Sequence, residues 1–225
     1  MKPTLHGVRG KDPEPHPIIE ITGQLDVGKA SIAEAVARGL KAPLFAFPVL
    51  DHQSFTGRAL LWALAGKGEL LEQAPQWWAH LYIANLLEKA DEIYSASLQG
   101  PVIVTNYTTG FSIWMHAAGI KSLGGFFASL PPPKIVYKLC GSTWITARNL
   151  HNGFSTPFIL KIGHAMLNTA DKKVVRINLL STSPGRMHQR VNEASSKILE
   201  DLKRRYNLSD SGAIVKSTDT RGGSW

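Results

Sequence analysis

The sequence predicts an α/β fold, a parallel sheet covered by helices on both faces. Three observations predict it. Short apolar runs alternate with longer segments of helical periodicity along most of the chain. No two apolar runs are joined by a hairpin turn, so the strands need crossover connections and lie parallel. The first apolar run also leads into Gly23-Gln-Leu-Asp-Val-Gly28-Lys29, a G-x-x-x-x-G-K loop that opens a helix. In such a fold ligands bind at the carboxyl ends of the strands, where this loop sits.

In chain order, residues 1–17 form a Pro-rich arm, residues 18–206 a single domain and residues 207–225 a polar tail. Ile18 to Ile21 reads as a short buried strand. Ala30 to Leu40 reads as a helix, with Ile32, Ala33, Val36, Ala37 and Leu40 at core spacing. Leu44 to Phe47 is a short strand stopped by Pro48. A helix is predicted from Gly57 to Ala65, and Pro75 opens a long helix to about Leu98 carrying Trp78, Leu81, Tyr82, Leu86, Ile93 and Leu98. Val102 to Thr105 and Ile135 to Leu139 are strands, separated by a helical stretch from Phe111 to Ala128 that Gly119, Gly124 and Gly125 interrupt. Thr143 to Leu150, Phe158 to Asn168 and Arg186 to Tyr206 are helical, and Val174 to Asn178 is the last strand.

The glycine loop carries the chemistry. Its glycines let backbone N–H groups close around an anion, the helix N-terminus adds its dipole, and Lys29 supplies a positive charge. The expected phosphate contacts are Gly23, Asp26, Gly28, Lys29, Ala30 and Ser31. The residue after the lysine should carry the hydroxyl that holds Mg²⁺, and here it is Ala30. Ser31 is the nearest substitute, but it points about 100° round the helix.

Composition narrows the classes. The chain has 225 residues, 44% of them hydrophobic, and a formal charge of +8; the isoelectric point is near 9.6. That charge favours an anionic partner such as nucleotide, RNA or an acidic protein surface. Lys197, Lys203, Arg204 and Arg205 form a basic stripe near the end of the last helix, where cations complement the helix dipole. The single cysteine, Cys140, excludes an internal disulfide and a Cys-based metal site. His80, His116, His151 and His164 lack metal-ligand spacing. No transmembrane segment is expected, and the N-terminus has no hydrophobic signal core, which leaves mitochondrial and cytoplasmic locations both open. Trp77 and Trp78 are adjacent on a helix and cannot both face one core, so one of them is expected to face a partner or a groove.

Several further segments, in order, resemble thymidylate kinases. Phe47-Pro48 is similar to the family's FP-x-R segment, and Thr56-Gly57-Arg58 to its IGK helix start. His80-Leu-Tyr82-Ile-Ala-Asn85-Leu86-Leu-Glu88 resembles its LLF-x-ANR-x-E helix. Val102-Ile-Val-Thr105-Asn106-Tyr107 stands where its LVVDRY strand end would be, Leu130-Pro131-Pro-Pro133-Lys134-Ile-Val is similar to its LP-x-PD-x-V strand, and Ala147-Arg148 precedes the lid position. The resemblance implies a three-layer P-loop NTPase-like fold with a five-stranded parallel sheet. It also implies ATP and Mg²⁺ as cofactors of an active member. Lys29 and Arg148 would be the catalytic cations, and Arg58, Tyr82 and Tyr107 would bind substrate, with Tyr82 in place of the phenylalanine that stacks on the base.

The same resemblance exposes what is missing. Besides Ala30, Asp26 stands fourth in the loop rather than third. Pro48-Val49-Leu50 lacks the acceptor-phosphate arginine, and Thr105-Asn106 replaces the Asp-Arg pair. Leu86 replaces the base-reading arginine, and the lid from Asn149 to Phe158 has no Lys or Arg. Phosphoryl transfer depends on charge neutralisation and positioning, so losing these groups together predicts an eroded site and a pseudoenzyme. The expected role is a structural or accessory subunit of a larger assembly, mitochondrial or cytoplasmic, with protein partners and residual nucleotide binding. The alternatives are an active divergent nucleoside monophosphate kinase and a basic RNA-binding scaffold.

Overall fold

The computed structural model describes residues 14–23, 27–65, 73–120, 124–140, 156–168, 173–179 and 187–207. The strands are β1 (Ile18–Gly23), β2 (Leu44–Ala46), β3 (Val102–Thr105), β4 (Ile135–Cys140) and β5 (Val174–Asn178). The helices are α1 (Lys29–Leu40), α2 (Phe55–Ala65), α3 (Pro75–Glu88), α4 (Ala90–Ser97), α5 (Thr108–Ala117), α6 (Gly124–Phe127), α7 (Thr156–Asn168) and α8 (Met187–Tyr206). The strands form one five-stranded sheet in the order β2-β3-β1-β4-β5, and every pairing is parallel, as expected.

Central strands of such a sheet are covered on both faces, and β1 divides its residues accordingly. Ile19 and Ile21 join Ile103, Tyr137 and Leu139 beneath α1 and α8, which contribute Ile32, Val36, Leu40, Ile198 and Leu202. Ile18, Val102 and Val104 face the opposite layer, with Trp78, Tyr82 and Leu86 of α3, Phe111 of α5 and Ile162 of α7. The phenol of Tyr137 reaches through the first layer and donates to Asp201 Oδ2 at 2.8 Å. Asp201 also accepts from Arg204 at 2.6 Å and Arg205 at 2.7 Å, so two cations of the basic stripe are turned onto their own helix. Burial alone would raise the Asp201 carboxyl, and the bonds from Arg204, Arg205 and Tyr137 together hold it below its ordinary value.

Several boundaries depart from the sequence reading. The predicted helix from Pro75 to Leu98 is two helices: at Lys89 (φ −101°, ψ −2°) the backbone N–H turns back to Leu86 and Leu87. α4 then restarts with Asp91 and Glu92 in its first turn, a favourable place for acids. α2 begins at Phe55, two residues before the predicted Gly57, because Ser54 Oγ caps it by accepting from Gly57 N at 2.8 Å. The predicted stretch from Phe111 to Ala128 is instead α5 and the short α6. α5 ends in a Schellman motif, with Gly119 left-handed at φ +82° and the Gly119 and Ile120 N–H groups bonded to His116 O and Met115 O. The predicted helix from Thr143 to Leu150 lies outside the described residues, as do the arm up to residue 13 and the tail from residue 208. Among the described residues no helix is long and apolar enough to cross a membrane.

Candidate functional site

β1 delivers the chain to the glycine loop and α1 carries it away. Gly23 lies against β4, where a Cβ would stand 2.7 Å from Leu139 Cβ. Gly28 caps α1 with φ 82° and ψ 22°, a left-handed conformation that glycine adopts without cost. The Ile32 N–H closes on Gly28 O at 3.0 Å, and a helix N-terminus of this kind favours an anion. Lys29 is the first residue of α1 and half-buried, while Ala30 and Ser31 are exposed. Asp26 and its two predecessors lie outside the described residues. This donor set fits a phosphate. Ala30 offers no side-chain oxygen to a metal, and among the described residues no group of three or more His, Cys, Asp or Glu could hold one.

Across the carboxyl end of the sheet, the residues expected to meet an acceptor substrate are packed against one another. Tyr82 is only 5% exposed. Its ring stacks on Phe111 with centroids 4.6 Å apart and planes 11° apart, and Trp78 lies 6.5 Å away on the same helix. Its hydroxyl donates to Asn106 O at 2.7 Å, and burial pushes the phenol pKa well up, with the Glu20 charge adding to it. Asn106 sits at φ 49°, in the left-handed region where asparagine is among the best tolerated side chains. Its Nδ2 donates to Phe47 O at 3.1 Å, beside the cis Phe47–Pro48 bond. Tyr107 is fully buried with its ring 5.5 Å from that of Phe47, and its phenol is likewise pushed up by burial and then by Glu20. Leu86, at the position of the base-reading arginine, is fully buried in the core.

The charged residue that sequence reading passed over is Glu20. It sits in the middle of β1, fully buried, and reaches under α5. Its carboxylate accepts from Gly110 N at 2.7 Å and Thr109 N at 3.0 Å, with the Thr108 hydroxyl at 3.4 Å. Tyr107, the local cap residue of α5, makes no side-chain cap, so Glu20 caps this helix from across the sheet. Burial raises the Glu20 pKa, and the bonds from Gly110, Thr109 and Thr108 only partly oppose this. The close approach requires a glycine: a Cβ on Gly110 would lie 2.6 Å from Thr22 Oγ1, 3.3 Å from Glu20 Oε1 and 3.4 Å from Asn106 Oδ1. Lys138 of β4 is a second fully buried charge missed by the sequence reading, and burial pushes its ammonium down. The available signal was the same for both, a charge inside a central parallel strand.

The loop after β2 is clamped by Asn85. Its Oδ1 accepts from Val49 N at 2.8 Å, and its Nδ2 donates to Val49 O at 3.2 Å and Thr56 Oγ1 at 2.9 Å. Thr56 donates in turn to Glu88, a bond that leads the causes holding the Glu88 carboxyl below its usual value. Arg58 is exposed and donates to His52 O at 3.1 Å. Arg148 lies outside the described residues. Of the tryptophan pair, Trp78 is buried and Trp77 is 44% exposed. Phe55 and Trp62 of the neighbouring α2 are each 74% exposed.

The sequence matches no family model and no curated protein. Solved structures do match. The thymidylate kinase of Candida albicans superposes with a TM-score of 0.64 at 16% identity, covering 86% of this chain and 93% of that one. The thymidylate kinase of Ehrlichia chaffeensis superposes with a TM-score of 0.59 at 12% identity, covering 84% and 99%. The glycine loop at the end of β1, the parallel order of the sheet and these superpositions agree: the fold is the P-loop kinase fold, and it is similar to thymidylate kinases over most of the chain.

Proposed function

We propose that this chain is a thymidylate-kinase-like protein that has lost phosphoryl transfer and serves as a structural or accessory subunit of a larger assembly. The observation that carries this reading is the state of Tyr82. The ring that would stack on a base is covered by Phe111, its hydroxyl is engaged with Asn106, and it is 5% exposed. A base cannot reach it without separating α3 from α5. The missing charges support the same reading. Leu50, Leu86 and Asn106 stand where the resemblance puts arginines that hold the acceptor phosphate, read the base or lie near the phosphates, and one cation stabilising the transferring phosphoryl group is worth about 10³–10⁵ in rate. The exposed aromatics Phe55, Trp62 and Trp77 support a role among partners, since such side chains dominate binding energy at interfaces.

A divergent nucleoside monophosphate kinase is the second reading, favoured by the left-handed Gly28 that caps α1 without a side-chain cap. The fold supports nucleotide binding, and the loop N–H groups with Lys29 are what would hold the phosphates. One experiment separates the two. Purified chain is incubated with dTMP, ATP and Mg²⁺, and dTDP is followed. The first reading expects none above the protein-free control. Turnover at an ordinary enzymatic rate of about 1–10³ s⁻¹, abolished in Lys29→Ala, overturns it.

A further inference from the structure

α1 and α8 run parallel and meet through two glycine notches. A Cβ on Gly28 would stand 3.0 Å from Met187 Sδ, 3.7 Å from Val191 Cγ2 and 3.9 Å from Met187 Cε. Toward the other end of α1, a Cβ on Gly39 would stand 2.8 Å from Leu199 Cδ1. Both pairings ascend the two helices together, so the first residue of α8 lies beside the glycine that caps α1. The two notches differ in their access to solvent. Leu199 is half-buried, whereas Met187 is 39% exposed. Met187 therefore touches the end of the glycine loop on one side and water on the other. Met115, by contrast, is only 2% exposed.

We infer that Met187 is a site of reversible oxidation to methionine sulfoxide, and that the oxidised side chain loosens the cap of α1 at Gly28. The oxidant is a peroxide. Its O–O bond breaks, one oxygen bonds to the thioether sulfur and the other leaves as water, so the sulfur loses two electrons and the peroxide gains them. The thioether is an apolar, adaptable filler, and the sulfoxide is polar. The new oxygen has no room on the Gly28 side, where a Cβ would already stand 3.0 Å from the sulfur. It turns to water and draws the side chain off the glycine. Gly28 is left-handed and α1 has no side-chain cap, so this packing is a contact that holds the helix start. The notch at Gly39 is untouched, which confines the change to the loop end. The effect concerns the cap alone and holds whether or not the loop carries phosphate.

The test treats the full chain with dilute hydrogen peroxide, locates the added oxygen by peptide mass spectrometry and follows amide hydrogen exchange by NMR. Met187 should gain one oxygen well before Met115. The Ile32 N–H, which closes on Gly28 O, should then exchange about fourfold faster, the effect of losing one methylene-sized apolar contact. Methionine sulfoxide reductases of both stereospecificities should restore the slow exchange. Met187→Leu keeps an apolar contact and takes no oxygen at this position, so its exchange should stay slow before and after peroxide. Met187→Ala should exchange fast without any oxidant. The inference is overturned if Met187 is oxidised no faster than Met115, or if oxidised wild type exchanges at Ile32 as slowly as untreated protein. An equal rise in peroxide-treated Met187→Leu overturns it too, because the oxidation responsible would then lie at Met1, Met115 or Met166.

Discussion

Gly110→Ala places a methyl group where three oxygens already converge. In an unconstrained helix the change would be favourable by about 1 kcal/mol, because alanine is the better helix former. Here the new Cβ would lie 2.6 Å from Thr22 Oγ1, well inside van der Waals contact. Thr22 belongs to a central strand and is fully buried, so relief has to come from α5. Moving α5 away lengthens the 2.7 Å bond from Gly110 N to Glu20 and disturbs the Phe111–Tyr82 stack next to it. Overpacking costs about 1–3 kcal/mol, and weakening a hydrogen bond to a charged acceptor costs about 1.5–3 kcal/mol. With the propensity gain subtracted, the variant should be destabilised by about 1.5–5 kcal/mol. Thr22→Ala removes the atom in the way, so the double variant should recover about 1–2 kcal/mol relative to the sum of the single changes. Urea denaturation followed by tryptophan fluorescence gives all three values, provided the slopes agree. A neutral or stabilised Gly110→Ala, or a double variant additive within about 0.5 kcal/mol, would refute the packing described between α5 and β1.

Three further outcomes follow from the buried polar groups. The folded Asp201 carboxyl lies below its ordinary value, so its stabilisation is present above the unfolded value near pH 4 and disappears as the pH falls through the folded value. Asp201→Asn should cost about 1 kcal/mol at neutral pH, with the difference from wild type closing in acid denaturation curves. Glu20 has the opposite sign: its folded value is raised, so its contribution is complete below the ordinary glutamate value and is lost as the pH rises through the folded one. Wild-type stability should therefore fall by up to about 1.4 kcal/mol per pH unit across that window, and Glu20→Gln should lack the slope; parallel pH profiles would count against it. Asn85→Ala removes its three bonds to Val49 and Thr56, and should cost about 2–4 kcal/mol, with hydrogen exchange at Val49 rising well before global unfolding.

The central strands were legible because burial on both faces imposes apolar runs, as at Val102–Thr105; the partly buried edge strand Val174–Asn178 also has the bounds the pattern predicts. The core face of α1 was legible for a similar reason, since its buried residues are the ones its periodicity selects. What stayed hidden depended on partners distant in sequence. Glu20 looked like a blemish in an apolar run because the helix it caps begins far along the chain. The break at Lys89 involves neither glycine nor proline, so local propensity gave no sign of it. The resemblance named Tyr82 as a base platform, but its burial depends on Phe111, which no local pattern joins to it. That no arginine stands at positions 50, 86 and 106 was readable from the sequence; that Tyr82 is covered by Phe111 was not.

The cap that Glu20 supplies to α5 has a consequence for how such a chain can change. A helix start is normally secured by the residues just before it, and here those residues, Thr105-Asn106-Tyr107, are also where the resemblance puts the acid and the arginine of a kinase. Because the first-turn N–H groups of α5 are held from β1, these three residues are not needed to supply a side-chain cap, although Asn106 and Tyr107 are held by their own packing and hydrogen bonds. The anchoring of this helix start thus rests on a residue of the central strand rather than on the segment where the resemblance places the chemistry.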